Sequence, residues 1–225
     1  MQQLTKRGWR RFKAVLRPAT HIVFPSAPRA KNDYATHVPV LIGLAGIRRV
    51  ERVLELGCGN YSTRTFLNRS VFPDLKELLS LENDPLWART MRLNVAADRR
   101  CSIAFTSGAV ADAVASMDLD YFDLIFVDDS TTSEQRSATI RTLFALHPQN
   151  AWLLIHDYEM PEYQRAAAAF SHKFIFNAYN PETGLVFNSE NGSRSEFRQL
   201  NRRLQKNCSR LEPDDVPGWM RVLRK

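Results

Sequence analysis

The sequence predicts an α/β fold built on one doubly wound, mostly parallel sheet that ends in an antiparallel β-hairpin. From residue 50 to 156, five short apolar runs alternate with stretches of helical character. That rhythm is the signature of β-α units and a parallel sheet. After residue 170 it changes. Phe174-Ile175-Phe176 and Leu185-Val186-Phe187 flank Asn180-Pro181-Glu182-Thr183-Gly184, a turn-rich loop with no room for a helix. Such a pair reads as a hairpin.

Each element has its own justification. Residues 36–48 read as a helix covering the sheet. Val53-Leu54-Glu55-Leu56 is the first strand, followed by Gly57-Cys58-Gly59-Asn60 and a helix over 61–69. Leu78 to Glu82 is the second strand. Asp84 and Pro85 then supply an N-cap and a first helical residue. Trp87, Met91 and Val95 give that helix one apolar face. Ser102 to Phe105 is the third strand and 108–116 a short helix. Phe122 to Val127 is the fourth strand, and its near-continuous apolar run suits burial on both faces. Thr131 and Glu134 have capping-box spacing. The helix they open carries Ile140, Leu143 and Phe144 on one face and ends before Pro148. Ala151 to His156 is the fifth strand. Pro161 opens a helix with Tyr163, Ala167 and Phe170 on one side.

Composition narrows the class. The chain has 225 residues, 24% charged and 44% hydrophobic, in the range of an ordinary globular protein. No apolar stretch is long enough to span a membrane. Three scattered cysteines, Cys58, Cys101 and Cys208, fit neither a disulfide framework nor a zinc site, and favour a reducing, cytoplasmic setting.

The net charge of +7 is uneven. Residues 1–32 carry eight Lys/Arg and no acid, and 193–225 carry nine against four acids. Between them, 33–192 is mildly acidic. The expected organisation is therefore a basic N-terminal segment (1–32), one catalytic-type domain (33–192) and a basic C-terminal extension (193–225). Basic ends attract nucleic acid, anionic lipid or phosphorylated substrates, or simply solvate the protein. Leu4, Trp9, Phe12, Val15 and Leu16 can form an amphipathic helix within residues 1–17. It would lie on a membrane surface or pack on the body. Arg10-Arg11-Phe12 has no apolar region after it, so an export signal is not expected.

Ligands of doubly wound sheets bind beyond the carboxyl ends of the strands. The loop after the first strand has two glycines, which let a backbone turn sharply and approach a ligand. Glu82 ends the second strand, 25 residues after Gly57. A carboxylate there can accept two hydrogen bonds from a ribose diol, which points to a nucleoside-bearing cofactor. NAD would favour a third glycine where Ser62 stands. Glu55, two residues before Gly57, suits a cofactor with a cationic amine. Asp128 and Asp129 close the fourth strand, and His156 and Asp157 the fifth. Polar groups at such strand ends are costly unless solvated or paired, so they mark a site. Asp129 has the competing role of capping the next helix. His37 has the competing role of a structural histidine at a helix start.

Val53 to Ser62 (VLELGCGNYS) resembles motif I of the class I S-adenosylmethionine-dependent methyltransferases, and FDLIFVDD (122–129) is similar to their fourth-strand motif. The resemblance spans about residues 36–188. It implies a Rossmann-like seven-stranded sheet and S-adenosylmethionine as cofactor. Glu55, Gly57, Cys58, Gly59 and Asn60 would hold its methionine end, Glu82 its ribose, and Asn83, Ser107, Gly108 and Ala109 its adenine. It also implies methyl transfer, with Asp128, His156 and Asp157 serving the acceptor. An oxygen of a small or medium-sized molecule is the expected acceptor. RNA methylation, a non-catalytic scaffold at a membrane surface and an NAD-dependent oxidoreductase are the rival readings. In the similar catechol-type enzymes a divalent metal binds acids at these strand ends. Here Tyr158 replaces their amide ligand, so a metal on Asp128 and Asp157 is allowed but not favoured.

Overall fold

The computed structural model describes residues 32–130, 132–146, 148–188 and 194–208, and the side chains of all of these except 194–197. The amphipathic segment 1–17, the Thr131 cap and the terminal Pro213–Met220 stretch lie outside the described residues.

Seven strands form one sheet: β1 (Arg52–Leu56), β2 (Glu77–Glu82), β3 (Cys101–Phe105), β4 (Leu124–Val127), β5 (Trp152–His156), β6 (His172–Phe176) and β7 (Thr183–Phe187). Their order is β3-β2-β1-β4-β5-β7-β6. The first five run parallel, and β7 inserts antiparallel between β5 and β6. The expected fold is present, including the closing hairpin. The order reverses between β1 and β4, which is where such sheets open a ligand crevice.

The helices are α1 (Val38–Ala45), α2 (Ser62–Leu67), α3 (Pro85–Val95), α4 (Val110–Ala115), α5 (Ser133–Leu146), α6 (Pro161–Ala166) and α7 (Arg194–Cys208). Asp84 caps α3 as expected, accepting from the backbone N–H groups of Leu86 and Trp87. α6 ends at Ala166, so Ala167 and Phe170 pack from the turn beyond it rather than from a helical face.

Strand periodicity divides the core in two. Leu54, Leu56, Ile125, Val127, Leu153 and Ile155 face a layer with Val110, Val114, Ile140, Leu143 and Tyr163. Val53, Leu124, Phe126 and Leu154 face the opposite layer, with Val40, Leu41, Leu44 and Phe66. The two-residue period carries Glu55, Asp128 and His156 onto this second face, the one α1 covers.

The sequence reading placed no helix in 193–225, because the stretch is dominated by charge. α7 nonetheless packs on α1. Leu204 and Cys208 are fully buried, with Leu200 partly so, at four-residue spacing. Gly43 permits the approach: a Cβ there would lie 2.8 Å from Cys208 Sγ. Leu204→Ala is expected to lower the unfolding free energy by about 2–4 kcal/mol, measured by denaturant titration. A change within about 0.5 kcal/mol would mean that α7 is peripheral.

Candidate active site

The glycine loop begins where β1 ends. Gly57 has φ +85, and a Cβ there would collide with the backbone carbonyl of Asp128. Only glycine fits, because the end of β4 presses against the loop. Gly57 N–H donates to Leu81 O, and Asp128 N–H donates to Leu56 O. The loop is thereby held to both neighbouring strands.

Glu55 is fully buried beneath it. Its carboxylate accepts from Thr63 Oγ1 at 2.8 Å and from Ser80 Oγ at 2.5 Å. Thr63 Oγ1 in turn accepts the Gly59 N–H. Burial pushes the Glu55 carboxyl up to about 7, against the opposing pull of its hydroxyl partners. Glu82 ends β2. Its Oε2 accepts from Cys58 N–H at 3.1 Å and Cys58 Sγ at 3.4 Å. Its Oε1 accepts the Asn83 and Asp84 N–H groups, each at 2.9 Å. The carboxylate read as a free ribose acceptor thus already braces two loops. Cys58 is buried within the loop, and burial raises its thiol pKa. Asn60, Asn83, Ser107, Gly108 and Ala109 are exposed along the same rim.

Beyond β4 and β5 lies a buried charged cluster whose centre the sequence reading missed. Arg136, on α5, is 5% exposed. Its guanidinium lies 2.8 Å from Asp128 Oδ1 and 2.8 Å from Asp157 Oδ2. It also donates to Ser130 O at 2.7 Å and faces the Tyr163 ring at 5.3 Å. Arg136 precedes Ile140 and Leu143 by four and seven residues, so it sits on the helix's apolar stripe. An arginine in that register was the available signal.

His156 Nδ1 lies 3.5 Å from Asp128 Oδ1 and 3.6 Å from Asp157 Oδ1. Its Nε2 is 2.9 Å from Thr36 Oγ1. Burial opposes its protonation, but Asp128 and Asp157 together hold its pKa above the usual imidazole value. Burial likewise opposes charge on Asp128, yet His156 and Arg136 keep its carboxyl below the usual range. Asp157 adopts φ 56, in the left-handed region that non-glycine residues rarely enter.

His37, just before α1, meets the His156 ring edge-on at 4.9 Å and the Phe126 ring at 4.9 Å. It is 2% exposed, and neither ring nitrogen has a hydrogen-bond partner among the described residues. An unpaired buried polar group costs about 1–3 kcal/mol. Burial and His156 lower its pKa to about 3, so the ring is neutral. His37 thus stands at the start of α1 and packs against the strand-end cluster through His156. Asp129 does not cap α5 through its first turn: its Oδ2 accepts from Thr139 Oγ1 at 2.7 Å, one layer deeper.

Tyr158, Glu159 and Tyr163 follow the rim in sequence, and each is engaged within the protein. Tyr158 is 2% exposed and packs on Gly184. Glu159 accepts the Glu182 N–H, and Tyr163 is buried beneath Arg136. Asp128 and Asp157 do not suit the catechol-type metal. Arg136 bridges them, and Tyr158 offers no amide. A groove lined by Arg48, Val50, Phe72, Asp74 and Arg203 lies at the opposite, N-terminal ends of the strands, away from every group above.

The Glu55 carboxyl gives the ligand-free protein a testable pH signature. Its pKa is raised from 4.5 to about 7 on folding. Its stabilising contribution is thus present below pH 4.5 and is lost as pH rises through about 7. The loss amounts to about 3 kcal/mol. Against wild type, Glu55→Gln should therefore gain stability steadily from pH 5 to 7.5 in chemical denaturation. Parallel curves would refute the shift.

Residues 54–158 match the family described as methyltransferase domain. No curated protein gives a significant match. Among solved structures, human methyltransferase-like protein 13 in complex with SAH aligns with TM-score 0.53 and 16% identity, over 78% of this chain and 92% of that one. SAH-bound Podospora anserina methyltransferase PaMTH1 aligns with TM-score 0.51 and 15% identity, over 83% and 98%. A mutant form of MtNAS aligns with TM-score 0.51 and 14% identity over 70% of this chain, which spans 60% of that longer one. The matched domain, which spans a little under half of the chain, together with the sheet order and the closing hairpin, is consistent with the class I methyltransferase family.

Proposed function

We propose that the protein transfers the methyl group of S-adenosylmethionine to an oxygen of a small or medium-sized acceptor. One observation carries this reading. Gly57 is wedged against the backbone of Asp128, so the glycine loop and the end of β4 that carries the charged rim are in direct contact. A cofactor lying along the loop would present its sulfonium to that rim.

In this reading the methionine end rests on Gly57, Cys58, Gly59 and Asn60, above Glu55. An ionised Glu55 would attract the cofactor's ammonium group, and that charge would offset the burial that otherwise favours the neutral carboxyl. Glu82, which ends β2 beside the loop, would hold the ribose diol. Asn83, Ser107, Gly108 and Ala109 border the adenine. Methyl transfer is an in-line displacement, so the protein must align the acceptor and remove its proton. His156 in its unprotonated form takes that proton, and its flanking carboxylates stabilise the imidazolium that results. Asp157 and Asp128 orient His156, while Arg136 keeps both acids charged and in place. The SAH-bound relatives support the cofactor assignment by their shared fold.

Calorimetric titration tests the cofactor. S-adenosylhomocysteine should bind with one-to-one stoichiometry, and NAD should not bind. Gly108 offers a location test, because a Cβ there meets nothing within 4 Å. Gly108→Trp should leave the melting temperature nearly unchanged yet weaken S-adenosylhomocysteine at least about tenfold, or about 1.4 kcal/mol. Unaltered affinity would remove the adenine from this loop. Absence of binding by the folded wild type would remove the methyl-transfer reading.

A further inference from the structure

The geometry points to a divalent transition-metal site formed by His37, Asp128 and His156, a donor set different from the strand-end acid pair that Arg136 occupies. One ligand atom from each of the three residues lies within 4.8 Å of the others.

Four features of the cluster converge on a cation there. First, His37 is buried, with both ring nitrogens unpartnered and its ring against His156. It brings a free lone pair into the cluster.

Second, His156 has a partner on its far nitrogen: Nε2 lies 2.9 Å from Thr36 Oγ1, while Nδ1 is turned toward the acids. Metal-binding histidines use such a partner on the second nitrogen to hold ring and tautomer.

Third, the spacing around Nδ1 suits an ion better than a hydrogen bond. Its distance of 3.5 Å to Asp128 Oδ1 exceeds the ~2.7–2.9 Å of a charge-assisted hydrogen bond. It approaches the roughly 3.3–3.4 Å between neighbouring ligands of a tetrahedral centre with bonds of about 2.0–2.1 Å. The wider 4.8 Å limit closes with side-chain movement of about an ångström.

Fourth, the charge balance leaves room for a cation. Arg136 neutralises one of its two carboxylates and leaves one negative charge beside two imidazoles. Its hydrogen bond to Asp128 then acts as an outer support for a liganding carboxylate.

Two imidazoles and one carboxylate select a zinc-class ion over magnesium or calcium, which prefer all-oxygen shells. A tetrahedral ion held by three side chains keeps a fourth position open to an oxygen ligand. A metal on His156 Nδ1 would occupy the lone pair that the residue needs as a general base, so the site is proposed for the protein free of S-adenosyl ligand, and it is tested without one.

The test is titration of cobalt(II) into chelator-treated full-length protein without any S-adenosyl ligand. Expected are visible d–d bands of a low-symmetry site that saturate at one equivalent. Zinc should bleach them, and excess magnesium should leave them unchanged. His37→Gln, checked for folding by circular dichroism, should weaken cobalt at least about a hundredfold. On the wild type alone, proton spectra of the cobalt form should show two hyperfine-shifted imidazole N–H signals. Absent bands, fewer than two such signals, or bands that survive in folded His37→Gln would each overturn the site.

Discussion

The buried guanidinium of Arg136 holds the reactive rim together. Asp128 and Asp157 end neighbouring parallel strands, and bare carboxylates so close would repel one another and resist burial. Arg136 meets each at 2.8 Å and also ties down Ser130 O. Arg136 is buried while both acids keep partial solvent access, so its loss would leave two neighbouring carboxylates uncompensated. The cluster also sets the protonation of its neighbours. Asp128 stays ionised because His156 and Arg136 face it, and His156 holds a proton more firmly because both acids face it. The strained backbone of Asp157 is tolerated within this network.

A second constraint joins this rim to the glycine loop. Gly57 is required by the protein's own packing, since any Cβ would collide with the Asp128 carbonyl. Glu55 and Glu82 do comparable work on either side. One anchors the loop from below through Thr63, and the other ties it to the turn that opens α3. These acids therefore shape the free protein before any ligand arrives. Binding must exchange some of their internal hydrogen bonds for ligand bonds, which makes the loop sensitive to what occupies it.

Much of this architecture is legible in the sequence, because strand and helix periods are local. The apolar runs located the strands, Asp84-Pro85 located the start of α3, and the turn at 180–184 identified the hairpin. The strand-end groups Asp128, His156 and Asp157 follow from the strand assignments alone. What escaped depends on contacts distant in the chain. Arg136 looks like an ordinary helix arginine until α5 is set against β4 and β5. Thr36 meets His156 across 120 residues, and Glu82 meets Cys58 across 24. α7 was missed although Phe197, Leu200, Leu204 and Cys208 recur at helical spacing, because the stretch was read for its charge. Tyr158 showed no sign in sequence that it would turn inward onto Gly184.

The glycine loop, in contact with the end of β4 that carries the charged rim, is the proposed seat of an S-adenosyl ligand, and methyl transfer depends on it. Backbone amide NMR during titration with S-adenosylhomocysteine tests it most directly. Shifts are expected at Gly57 to Asn60, Glu82 to Asn83 and Ser107 to Ala109, reaching Asp128 at the rim. Shifts confined instead to the far groove around Val71 to Asp74, or no shifts at saturating ligand, would contradict it.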